Sequence, residues 1–145
     1  LEKRINKLLK IFKKRTKVIA CSVLERDGFV IASLKDDFID DNLYDKKIID
    51  LYNALETMSN ANSDLIDFNN KRVLISMGVV DEFLNNGFMI FIKAIGNSII
   101  FITVFPKLLN LKPITNEFEK IVEQLSVYFL EAENQGILNK FYKLA

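Results

Sequence analysis

Two periods alternate along this chain. Ile5, Leu8, Leu9 and Phe12 recur at i, i+3, i+4 and i+7, so Leu1–Lys14 is predicted as an amphipathic helix. From Val18 the pattern tightens to two apolar runs, Val18–Glu25 and Phe29–Leu34, around Arg26-Asp27-Gly28. Asp-Gly between such runs predicts a hairpin with a type I′ turn, because Gly accepts φ > 0 without a Cβ clash. In the first run Val18, Ala20, Ser22 and Leu24 share one face, and Ile19, Cys21, Val23 and Glu25 the other. Both faces are largely apolar, which places this strand inside a sheet covered on both sides.

The helical period returns after Tyr44, with Asp45 as the expected N-cap, through Ile48, Leu51, Tyr52, Leu55, Met58 and Leu65. Ser59 to Asn62 are small and polar, which suits close approach of a second helix. Asn69-Asn70 marks a turn. Lys71–Val80 is the next expected strand, with Val73, Ile75, Met77 and Val79 on one face. After a loop at Asp81–Gly87, Phe88–Ala94 and Ser98–Phe105 complete an antiparallel meander, ended by Pro106. Lys107–Pro113 is expected as a connection and Asn116/Glu119 as a capping box. A long helix follows through Phe118, Ile121, Val122, Leu125, Tyr128 and Phe129, with Gly136 as its C′ residue. The expectation is one α+β domain over 1–136, a five-stranded antiparallel sheet with helices on both faces, and a short helical tail at 137–145.

Charge sharpens this picture. The net charge is only +1, yet Lys3, Arg4, Lys7, Lys10, Lys13, Lys14, Arg15 and Lys17 stand against Glu2 alone in the first seventeen residues. The basic charge belongs to one element, so a nucleic-acid-binding role for the whole molecule is not expected. The first helix is expected to pack on the sheet with its lysines in water; contact with an anionic membrane is the alternative and is not favoured. The acidic run Asp36, Asp37, Asp40, Asp41 lacks the alternate-ligand spacing and the Gly of a calcium loop, and reads as a solvated loop and helix cap with nothing to order its carboxylates.

Catalytic equipment is sparse. The chain has no His and one Cys, Cys21, in a strand interior where a thiol is inert. A single Cys excludes an internal disulfide and points to an intracellular, reducing compartment. Five glycines sit at turns and form no phosphate-binding motif. No apolar run is long enough for a membrane span. Leu1-Glu2-Lys3-Arg4 does not begin a signal peptide, and the missing Met is that of a trimmed or partial chain. No enzyme, no cofactor and no metal are expected.

The run Val23-Leu24-Glu25-Arg26-Asp27-Gly28-Phe29-Val30-Ile31-Ala32-Ser33, in the order helix, two strands, helix, three strands, helix, resembles the Roadblock/dynein light chain family. The resemblance covers about residues 1–135. It departs at the acidic loop after Ser33, the longer 81–87 loop and the tail beyond Gly136. It implies strand order 2-1-5-4-3, with one helix on one face and the terminal helices on the other. It further implies a cytoplasmic, non-catalytic scaffold or regulator that homodimerises through its third strand and second helix and binds a Ras-like small GTPase. A partner is the favoured route by which such a protein would reach a membrane, ahead of direct contact through the basic first helix. Asn53, Glu56, Thr57 and Asn60 on the second helix, and Val73, Ile75 and Met77 on the third strand, are the expected contact or dimer residues. Arg26 and Arg72 are the only arginines outside the first helix, and neither has a spacing that supports an arginine finger. Two alternatives remain: a longin-type trafficking adaptor, disfavoured by the leading helix, and a profilin- or PAS-like ligand sensor, which needs a polar-lined cavity.

Overall fold

A computed structural model of the protein describes residues 2–61, 66–77, 87–107 and 110–134. The elements are α1 (Glu2–Thr16), β1 (Ala20–Glu25), β2 (Phe29–Lys35), α2 (Asp41–Ala61), β3 (Val73–Met77), β4 (Phe88–Ile95), β5 (Ile99–Phe105) and α3 (Leu111–Asn134). The five strands form one antiparallel sheet in the order β2-β1-β5-β4-β3. Both the α+β class and the expected strand order hold. The expected continuation of β3 to Val80, the loop at 81–86, the Gly136 cap and the tail at 137–145 lie outside the described residues.

Alternation builds two cores from one sheet. In β5, Phe101 and Phe105 point toward α1 and α3, while Ile100, Ile102 and Val104 point toward α2. Every residue of β1 and β5 is buried, as expected of central strands covered on both faces. Ile5, Leu8, Leu9 and Phe12 of α1 fill the first core with Phe118, Ile121 and Leu125 of α3. Tyr44, Ile48, Tyr52 and Leu55 of α2 close the second.

Four local features differ from the sequence pattern. The β1–β2 connection is a three-residue loop, Arg26–Gly28, because Glu25 pairs with Phe29. Only Gly28 is left-handed there, at φ 98°, so the turn is not type I′, which would need two such residues. A bulge at Ile31 follows, since Val23 pairs with Ala32 and Leu24 with Val30. The extra residue sends Ile31 and Ala32 into the same core.

Both later helices start earlier than expected. The Asp40 carbonyl accepts from the Tyr44 N–H at 2.9 Å, so α2 opens at Asp41 and Asp45 lies inside it. Asn110 Oδ1 accepts from the Lys112 N–H at 3.1 Å, which makes Asn110 the N-cap of α3. Pro113 then falls in the first turn, where its missing N–H has no intrahelical partner to lose. The acidic run is ordered rather than loose: Asp36 forms an ion pair with Lys13, and its N–H bonds to the Ile19 carbonyl at 2.9 Å.

Candidate functional site

The outer side of α2 and the free edge of β3 form the candidate surface. The buried stripe of α2 runs Tyr44, Ile48, Tyr52, Leu55 and Ser59. Helical geometry turns the remaining positions outward. Asn53, Thr57 and Asn60 are exposed, and the Thr57 hydroxyl donates to the Asn53 carbonyl at 3.0 Å. The same outer surface carries Ala54, which the sequence reading did not single out, Met58, read there as part of the apolar period, and Ala61, read there as one of the small residues at 59–62. With Thr57 they repeat at i, i+3, i+4 and i+7, a small-residue stripe centred on Met58, which is 52 % exposed. The signal was present in the spacing. It was hidden because Met58 keeps the same helical period as the core residues.

Glu56 has a different role from the neighbouring candidates. It is half-buried, accepts from the Tyr52 hydroxyl at 2.5 Å, and lies 4.0 Å from the Arg26 guanidinium. Arg26 donates to Asn69 Oδ1 and lies over the Phe68 ring, 5.9 Å from its centroid. Desolvation, and then the Glu56 carboxylate, push the Tyr52 phenol well above its ordinary range. Glu56 therefore ties α2 to the β1–β2 loop, and Glu56→Arg would set two guanidinium groups together. Thr57 and Met58 are the cleaner positions at which to probe a contact.

On β3, Val73 is buried and Ile75 packs against the core beneath α2. What they offer a partner is backbone rather than side chain. Met77 ends the strand, in register with Phe88. Leu74 is exposed on the opposite face. β3 bonds to β4 on one side, and no strand pairs with its other side among the described residues. Such an edge presents unpaired N–H and C=O groups to a further strand. Arg72, just before β3, forms an ion pair with Glu119 of α3 and lies 5.0 Å from the Phe91 ring centroid. Arg26 and Arg72 are thus both engaged within the chain.

Where the sheet meets the helices, Phe101, Phe105, Phe118, Ile90 and Ile92 are fully buried. A groove of about 340 Å³ lies between α1 and α3, lined by Leu8, Ile11, Phe12, Arg15, Glu117 and Ile121 among others. A second, of about 220 Å³, lies beside the β4–β5 turn against Phe129 and Leu130. Among the described residues no three His, Cys, Asp or Glu side chains gather to hold a metal. No helix there is long and apolar enough to cross a membrane.

One antiparallel sheet in the order 2-1-5-4-3, with a single helix on one face and the two terminal helices on the other, is the Roadblock/LC7 fold. Solved structures share it. MglB from Myxococcus xanthus superposes with TM-score 0.65 at 14 % identity, over 90 % of both chains. The gliding protein MglB from Thermus thermophilus gives 0.66 at 13 % identity, over 86 % of this chain and 87 % of that one. A Roadblock/LC7 domain from Streptomyces avermitilis gives 0.65 at 13 % identity, over 86 % and 97 %. No protein-family model and no curated protein matches the sequence.

Proposed function

We propose that this chain is a non-catalytic regulator or scaffold that homodimerises through β3 and α2 and binds a Ras-like small GTPase on the composite surface. The observation that carries the reading is a β3 edge with no strand on its outer side among the described residues, together with an exposed Ala54–Thr57–Met58–Ala61 stripe on α2, on a fold shared with Roadblock/LC7 domains. Pairing two β3 edges would extend the sheet across a two-fold axis and bring the two α2 stripes together. Small side chains permit that approach. The interface should bury roughly 1,600 Å² or more in total. One GTPase placed across the axis would block a second copy, which gives two of this chain per GTPase. Its binding should depend on the nucleotide, because the switch regions are what differs between GTPase states.

Light scattering at tens of micromolar tests the first half. A dimer is expected, and Met58→Asp should convert it to monomer by burying an unpaired charge at the interface. A wild-type monomer would sink the proposal. The second half is tested by retaining the cell's small GTPases, loaded with GTP or GDP analogues, on the immobilised protein. Retention in one nucleotide state, lost in Thr57→Arg, supports the reading. Retention of no GTPase in either state would leave a dimeric scaffold for another partner.

A further inference from the structure

The cations of α1 are sorted by direction. Those on its flanks are paired: Arg4 with Glu131 at 3.2 Å, Arg15 with Glu117 at 3.6 Å, and Lys13 with Asp36. Ile5, Leu8, Leu9 and Phe12 face the sheet. Lys3, Lys7, Lys10 and Lys14 remain, spaced four, three and four residues apart, which puts them on one line opposite the buried stripe. All four are exposed, and none has an ion-pair partner among the described residues. At 1.5 Å per residue the line is about 16 Å long. On the outer side of the neighbouring α3, Val127 and Leu130 are 50 % and 59 % exposed. The Arg4–Glu131 pair fixes that end of α3 beside the start of α1.

We propose that this face of the molecule adsorbs to an anionic phospholipid bilayer, with the lysine line on the headgroups and Val127 and Leu130 at the headgroup boundary. Packing on the sheet and contact with a membrane are compatible here, because they use opposite sides of one helix. The apolar side of α1 is committed to the core, so the helix lies on the surface and does not insert. The chemistry of the line favours lipid over nucleic acid. It holds compact ammonium groups, while the neighbouring forked guanidinium groups are occupied by carboxylates. No aromatic ring lies in the line to stack a base, and two exposed aliphatic side chains suit a headgroup boundary better than a phosphodiester backbone. Adsorption by this face would leave α2, on the other side of the sheet, turned away from the membrane.

Co-sedimentation with vesicles tests this. The protein should pellet with phosphatidylcholine vesicles containing about 30 % phosphatidylserine at low salt, not with pure phosphatidylcholine, and release at about 0.5 M salt as the charges are screened. The variant Lys3→Gln/Lys7→Gln/Lys10→Gln/Lys14→Gln keeps helix propensity and should keep its melting temperature. Its partitioning should fall about a hundredfold or more, since each lysine near an anionic surface contributes several-fold. Val127→Ser/Leu130→Ser should lose several-fold while keeping the salt dependence. No pelleting of the wild type with anionic vesicles, or equal pelleting of the quadruple variant, would overturn the proposal. So would a short DNA duplex that strips the protein from vesicles, which would assign the line to nucleic acid. Undiminished binding by Val127→Ser/Leu130→Ser would overturn the part given to the aliphatic pair.

Discussion

Against α1 and α3 the sheet presents rings; against α2 it presents branched aliphatics, which meet tyrosines of that helix with bonded hydroxyls. Phe91, Phe101, Phe105 and Phe118 stack with centroids 5.0–5.3 Å apart, and Phe12 meets Phe101 edge-on at 5.5 Å. On the other face Ile90, Ile92, Ile100, Ile102 and Val104 surround Tyr44 and Tyr52. The Tyr44 hydroxyl bonds to Ser22 at 2.6 Å, and Ser22 to Ser33 at 3.1 Å, while the Tyr52 hydroxyl donates to Glu56, which pairs with Arg26. The difference has a mechanical reason. α1 and α3 brace each other through Arg4–Glu131, Arg15–Glu117 and the shared core of Leu8, Phe12, Ile121 and Leu125, so shape alone can hold the rings in register. A lone helix on a sheet can slide over smooth aliphatics. Bonded hydroxyls give α2 fixed points, and its outer stripe stays exposed.

That comparison can be broken from either side. Phe101→Ala should have the largest effect, about 3–5 kcal/mol of lost stability, because Phe101 is fully buried between Phe12 and Phe118. Denaturant unfolding reads it. A loss below about 1 kcal/mol would show that the ringed face repacks easily and is not held by shape. Tyr44→Phe should cost about 1 kcal/mol, since Ser22 keeps its bond to Ser33 when the bonds of the phenol hydroxyl are lost. Faster hydrogen exchange confined to α2 is the accompanying signature expected if the hydroxyl is a fixed point. Exchange that quickens equally in α3 would remove the distinction between the faces.

Lys17→Gly acts on the braced side and should stabilise the protein by up to about 1 kcal/mol. Lys17 is left-handed at φ 58° and closes α1 with its N–H on the Lys13 carbonyl at 2.8 Å. Gly takes that conformation without a Cβ clash, though its freer unfolded chain offsets part of the gain. Thermal melting of both forms measures it, and an unchanged or lower melting temperature would count against a strained cap.

The smallest effect concerns Glu25. Desolvation raises its pKa, opposed by the Asp27 N–H that bonds its carboxylate at 2.8 Å. A carboxyl whose folded pKa is raised binds more protons folded than unfolded. Stability should therefore fall as pH rises from the ordinary carboxylate range through the raised value, and stay at the lower level above it. Glu25→Gln should remove that component of the pH profile. A profile unchanged by the substitution would show that Glu25 is hydrated.

Most of the framework was legible in the sequence because period is local. A repeat of two or of 3.6 residues, and Gly at Gly28, Gly87 and Gly96, follow from neighbours a few positions away, and they placed the described strands and helices in order. Helix starts were read four to six residues late, because Asp40 and Asn110 cap polar first turns that carry little apolar signal. The bulge at Ile31 answers to β1 across the hairpin, so no repeat in β2 announces it. Asp36 with Lys13, Arg26 with Asn69, and Arg72 with Glu119 join residues 23, 43 and 47 positions apart. Only the folded sheet brings those side chains together. The same folding decided which surfaces stayed free: it engaged Glu56, left the Met58 stripe open, and paired the flanking cations of α1 while leaving the lysine line to solvent. Periodicity records which side of an element is apolar; which polar groups find partners is set by the elements that meet.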